Sequence, residues 1–69
     1  MKKEVGKRLK ECRIEKGLTQ MQVAKVLGVA QPVYQRFEKG LFECNYEQLL
    51  KLSKLFCVSI DYLLGKTEN

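Results

Sequence analysis

Gln31, Gln35 and Arg36 are the residues of this chain whose types and spacing promise most chemistry, and that chemistry is hydrogen bonding. They fall in GVAQPVYQRFEKG, residues 28–40, on the side of a helical pattern away from its apolar positions. Water or a partner must meet them there. A primary amide carries an acceptor and a donor side by side, and a guanidinium carries a planar fork of donors. The catalytic inventory is otherwise bare. The sequence has no histidine, no glycine-rich phosphate loop and no GxSxG motif. Cys12, Cys44 and Cys57 are scattered, with no CxxC pair and no base partner. Neither a zinc site nor an activated nucleophile is expected from them. An enzyme, a metal and a cofactor are therefore not expected.

The charge of +5 is unevenly placed. Residues 1–16 hold a net +4, residues 17–40 a net +2, and residues 41–69 a net −1. A basic front suits an anionic partner on one face, or is ordinary solubilising charge. The odd cysteine count argues for a reducing cytoplasm over a disulfide scaffold. Cys12 and Cys57 stand among apolar residues and read as small core hydrophobes. The N-terminal lysines precede no apolar run, so no signal peptide is expected, and no stretch approaches a membrane span.

Five segments have helical spacing, and none has strand alternation. The first carries Val5, Leu9 and Cys12 inward and stops at Gly17. The second starts at Thr19, with Gln22 completing a capping box, and buries Val23, Ala24 and Leu27 before Gly28. The third turns Val29, Tyr34 and Phe37 inward and ends at Gly40. The fourth is capped by Asn45 with Gln48, and its apolar set is Tyr46, Leu49, Leu50, Leu52, Leu55 and Phe56. The fifth is capped by Ser59 and packs Ile60, Leu63 and Leu64. Residues 66–69 form a polar tail expected to fray. The chain reads as one all-α domain over residues 1–69. Helices two and three, joined by a few residues around Gly28, fit a helix-turn-helix over residues 19–39 or any short-looped bundle.

Two runs decide between these. LTQMQVAKVLGVAQPVYQRFEKG resembles the helix-turn-helix of the Cro/phage-repressor (XRE-like) transcriptional regulators, and NYEQLLKLSKLFCVSIDYLLGKT is similar to the last two helices of that family. The resemblance spans residues 5–67. It implies a five-helix lambda-repressor-like domain of bacterial or phage origin that binds duplex DNA in a sequence-specific manner, usually as a dimer. Nothing in the residues marks a contact with polymerase and 69 residues leave no room for a separate ligand-sensing domain, so a repressor at an inverted-repeat operator, with no small-molecule effector, is expected. The rival is a module of the same fold, antirepressor-like or antitoxin-like, that docks a protein and has lost specific DNA binding.

The resemblance assigns roles. The front of helix three would meet base edges in the major groove, which is about 12 Å wide and admits one helix. Gln31 would read a base, with Gln20 bridging a phosphate and the Gln31 amide. Pro32, and Val33 standing exposed by helical phase, would touch methyl groups, although Pro32 also suits a helix start. Gln35 follows on the same face, and Arg36 would read guanine or hold a phosphate. Thr19, Lys25, Lys39 and Lys7 are candidate phosphate contacts or solvated side chains. Arg13 and Glu38 would form a structural ion pair. Two departures stand out. Ala30 occupies a position where the family mostly has Ser or Thr as cap. Leu41 and Phe42 replace the loop's usual Lys or Arg; they either contact a second chain, with Tyr46 beside them, or fold back onto helix four.

Overall fold

Thr19 and Asn45 begin two helices by the same device. Each side-chain oxygen accepts from the amide three residues on, at 3.1 Å from Gln22 and 2.8 Å from Gln48. Each glutamine returns its own carbonyl oxygen to the cap amide, at 2.8 and 2.9 Å. Both reciprocal boxes satisfy donors that a helix start otherwise leaves unpaired. In the computed structural model, which describes residues 2–66, five helices follow in order: α1 (Lys2–Glu15), α2 (Gln20–Leu27), α3 (Gln31–Glu38), α4 (Tyr46–Phe56) and α5 (Ile60–Leu63). No strand occurs among the described residues. The all-α, five-helix expectation holds.

One core joins all five. Leu9 and Cys12 of α1, Val23, Ala24 and Leu27 of α2, and Tyr34 and Phe37 of α3 meet Leu49, Leu52 and Phe56 of α4 and Leu63 of α5. Leu9, Val23, Tyr34, Leu52 and Leu63 are wholly buried. Such a residue stabilises the fold by about 1.5–3 kcal/mol on burial. Helix α3 packs against α1 and α2, while α4 supports α2 and α5. The α1–α3 approach is close because Gly6, inside α1, presents no side chain to the last turn of α3. A glycine inside a helical pattern weakens the helix itself, so its use here is this packing.

Three expectations need correction. Cys57 is exposed, not core. It ends α4 in the left-handed conformation, with φ 58° and ψ 41°, which turns its side chain out while Val58 packs inward. Tyr46 is 69% exposed, because the first residue of α4 faces away from the Leu49–Leu52–Phe56 side. Val33 is half-buried against the core instead of standing free. In the expected tail, the Lys66 amide is held by the Asp61 carbonyl at 2.8 Å. Residues 67–69 lie outside the described residues. No helix among those described is long and apolar enough to cross a membrane.

Candidate nucleic-acid interface

The turn between α2 and α3 is three residues long and depends on Gly28, whose φ of 72° is costly for any residue with a Cβ. The Gly28 and Val29 amides donate back to the Lys25 and Ala24 carbonyls, at 3.1 and 3.0 Å. This reversal sends α3 off at once, with its front beside the front of α2.

Helix α3 starts without a side-chain cap. Ala30 makes no capping hydrogen bond, and Pro32 stands in the first turn. A missing cap usually costs about 1 kcal/mol, because the first amides lack acceptors. Here the demand is small. Pro32 has no N–H, and the Val33 and Tyr34 amides donate to the Ala30 carbonyl at 3.0 and 3.3 Å. The Gln31 amide is left as the open donor of that turn.

The fronts of α2 and α3 are tied by a chain of four side chains. Arg13 Nε donates to Glu38 Oε2 at 2.6 Å, and Arg13 Nη2 donates to Glu38 Oε1 at 3.3 Å. Gln20 Nε2 donates to Glu38 Oε1 at 3.0 Å. Gln31 Nε2 donates to Gln20 Oε1 at 2.9 Å. Arg13 also donates from Nη1 to the Leu18 carbonyl at 2.9 Å, which fixes the loop that leads into Thr19. The ion pair is largely enclosed, with the Glu38 side chain 4% exposed and that of Arg13 14%.

Electrostatics agree with this geometry. Burial by itself pushes the Glu38 carboxyl up, but hydrogen bonding to Arg13 and Gln20 outweighs it and holds it below its ordinary value. Its partnership with Glu38 raises Arg13 further. The Tyr34 hydroxyl is buried and makes no direct hydrogen bond. Burial first, and then the Glu38 charge, keep it protonated. A buried charge without a partner would be costly, so the pair persists because both members are satisfied.

The other candidates are distributed as follows. Thr19, Gln20 and Gln31 border one depression, together with Arg13, Leu18 and Met21. Pro32, Arg36 and Lys39 are exposed along α3, and Gln35 is half-buried. Lys25 and Lys7 are exposed on α2 and α1. Gln20 differs from its expected role in one respect. One of its N–H donors is committed to Glu38, which leaves a single N–H uncommitted. Leu41 and Phe42 are both exposed, and Phe42 packs edge-on against Phe37, at 6.4 Å between ring centres. Phe42 therefore folds back onto α3.

Two features escaped the sequence reading. The Arg36 guanidinium lies over the Phe42 ring, 5.6 Å from its centre. A stacked arginine keeps its N–H donors in the plane, free at the edge. The loop aromatic thus steadies Arg36 in place of supplying a base of its own. The link from Glu38 to Gln20 was also missed. A signal existed, since Gln20 and Glu38 close the fronts and backs of helices already paired through Gln31 and Arg13. No group of three or more His, Cys, Asp or Glu among the described residues could hold a metal.

Comparison with known proteins gives one consistent result. A helix-turn-helix family model matches residues 9–63. The transcriptional regulator ImmR of Bacillus subtilis is 44% identical over 93% of the chain and 50% of its own length. The regulator YqaE of the same organism is 43% identical over 88% of the chain and 53% of its own length. The chain thus spans about half the length of these curated relatives. The P22 c2 repressor, solved in complex with a synthetic operator, superposes with a TM-score of 0.84 at 33% identity. That match covers 91% of this chain and 96% of the repressor chain.

Proposed function

The chain belongs to the helix-turn-helix family of Cro/C1-type regulators, and on that footing we propose that it binds duplex DNA and represses transcription from an inverted-repeat operator. The observation that carries this reading is the Gln31–Gln20 hydrogen bond at the joint front of α2 and α3. It fixes an amide at the position where a recognition helix meets base edges. The remaining N–H of Gln20 and the Thr19 end of α2 then face the backbone phosphates, where a helix start favours an anion.

Gln31, Pro32, Val33, Gln35 and Arg36 form the base-facing row. Thr19, Gln20, Lys25, Lys39 and Lys7 form the phosphate-facing set. Val33 contributes only its outer edge, being half-buried. One recognition helix reads few base pairs, so two copies related by a two-fold axis would read half-sites about 34 Å apart. Leu41, Phe42 and Tyr46 offer exposed apolar surface for that pairing. This domain, residues 1–69, acts in the cytoplasm.

The test is selection from randomised duplexes of about 20 base pairs, long enough for two half-sites. Binding to the winning sequence is then followed between about 50 and 200 mM salt. A selected inverted repeat bound far better than random duplex supports the reading. Equal binding to all duplexes, or none, would replace it with the protein-docking module.

A further inference from the structure

We propose that Glu38 is a specificity-determining positioning residue: it sets the direction of the Gln20 and Gln31 amides, and so decides whether α3 prefers adenine or guanine. The inference rests on the reading of Gln31 as a base contact.

The argument is one of donors and acceptors. An ionised carboxylate only accepts. Glu38 Oε1 faces Gln20 at 3.0 Å, so Gln20 must turn its NH2 group toward it. That choice turns the Gln20 carbonyl oxygen toward Gln31. An oxygen there only accepts, so Gln31 must answer with its own NH2, at 2.9 Å. Gln31 is left with its carbonyl oxygen and one N–H. That pair complements adenine, which offers the N6 amino donor and the N7 acceptor in the major groove. Had the Gln31 amide been turned over, it would show two N–H donors. Guanine, with O6 and N7 both acceptors, would then fit better.

The direction of both amides is thus dictated from a residue that stands behind them and touches no DNA. Arg13 keeps Glu38 in the ionised form and in place, through its 2.6 Å bond to Oε2. Glu38→Gln changes one atom of this arrangement. Gln at position 38 keeps an oxygen for the short Arg13 bond, gives up the longer 3.3 Å bond from Arg13 Nη2, and places NH2 opposite Gln20. A donor there requires the Gln20 oxygen, so Gln20 turns over. Its NH2 then faces Gln31, and Gln31 turns over in its turn.

The experiment uses the full chain and a duplex obtained by selection from random sequence. Gln31→Ala first identifies the base pair whose identity it no longer senses. Duplexes with A·T or G·C at that pair are then titrated with wild type, Glu38→Gln and Gln20→Leu, and far-ultraviolet circular dichroism checks the fold of each. Wild type should favour A·T about tenfold, near the low end of what one bidentate contact discriminates. Glu38→Gln should reverse the preference toward G·C. Gln20→Leu, which spares the ion pair, should abolish it, since the Gln31 amide then turns freely. A folded Glu38→Gln chain that favours A·T as wild type does would overturn the inference. If Glu38→Gln does not fold, full retention of the A·T preference by Gln20→Leu overturns it equally. A Gln31→Ala chain that keeps every base preference would instead remove the base-contact reading, and this inference with it.

Discussion

Gly6 and Glu38 are in backbone contact across two helices: a Cβ built on Gly6 would stand 2.4 Å from the Glu38 carbonyl oxygen and 2.6 Å from that of Phe37. No real Cβ tolerates such an approach, and backbone atoms cannot swing aside. Gly6→Ala should therefore destabilise the fold, although alanine is the better helix former by about 1 kcal/mol. Overpacking of this kind costs about 1–3 kcal/mol, and each kcal/mol moves Tm by about 4–8 °C in a domain this small. Thermal melting should show a fall in Tm, with weaker DNA binding beside it. An increase in Tm would mean that α1 and α3 stand further apart.

Removing one partner of an enclosed ion pair costs more than the pair contributes, about 3–5 kcal/mol. Arg13→Ala should lower Tm sharply, because Glu38 would be left without its main partner. The pH dependence has a definite sign. The folded Glu38 carboxyl lies below its ordinary value, so its stabilising effect is present above the unfolded value and lost as pH falls through the folded one. The Tm difference between wild type and Glu38→Gln should be greatest near pH 6 and shrink on the way to about pH 3. A difference that does not change with pH would remove the charged pair from the account.

Base and phosphate contacts should separate in binding assays. Gln31→Ala should weaken the selected duplex while leaving random duplex nearly unchanged. Lys39→Ala should weaken all duplexes alike and reduce the salt slope by about one. Identical behaviour of the two variants would show that the sorting of the two rows is wrong.

The three thiols should react in a fixed order. Cys57 is exposed, while Cys12 is buried and Cys44 half-buried. Burial, helped by Glu15 and Glu11, raises the Cys12 thiol, and burial pushes Cys44 up to about 11. The thiolate is the reactive form. Alkylation of the native chain near pH 8 should add one group, at Cys57, and alkylation in urea should add three. Mass spectrometry decides. Cys57→Gly should also raise Tm by a few degrees, because a left-handed residue with a Cβ carries about 1–2 kcal/mol of strain.

Sedimentation at micromolar concentration tests the two-fold arrangement. With the selected duplex present, two chains should travel on each DNA. A single chain of 8.0 kDa per duplex at saturation would end the proposal of a dimer.

Local chemistry was the most legible part of this molecule. Both capping boxes, the Gly28 turn and the buried sides of α2 and α3 follow from side-chain type and spacing alone. Two of the misreadings share a cause: position within a turn was inferred from apolar character. Tyr46 is apolar by type but stands on the outer side of the first turn of α4. Cys57 sits inside the run LFCVSI, where nothing in the residue types marks a left-handed helix end. The fate of the amides behind Ala30 could not be foreseen either, since it depends on one carbonyl accepting from both Val33 and Tyr34. The candidate site was legible as two separate pairs, Arg13 with Glu38 and Gln20 with Gln31. Their union through Glu38 and Gln20 joins residues 18 positions apart, and periodicity carries no trace of it.

Tyr34 and Phe37 anchor α3 from one side only, while Pro32 and Arg36 stand clear of the interior. On the proposed reading of α3 as a recognition helix, exchanges at these outer positions would alter the sequence contacted and leave the core untouched. Gln31 is held more firmly than these, tethered through Gln20 to an enclosed carboxylate.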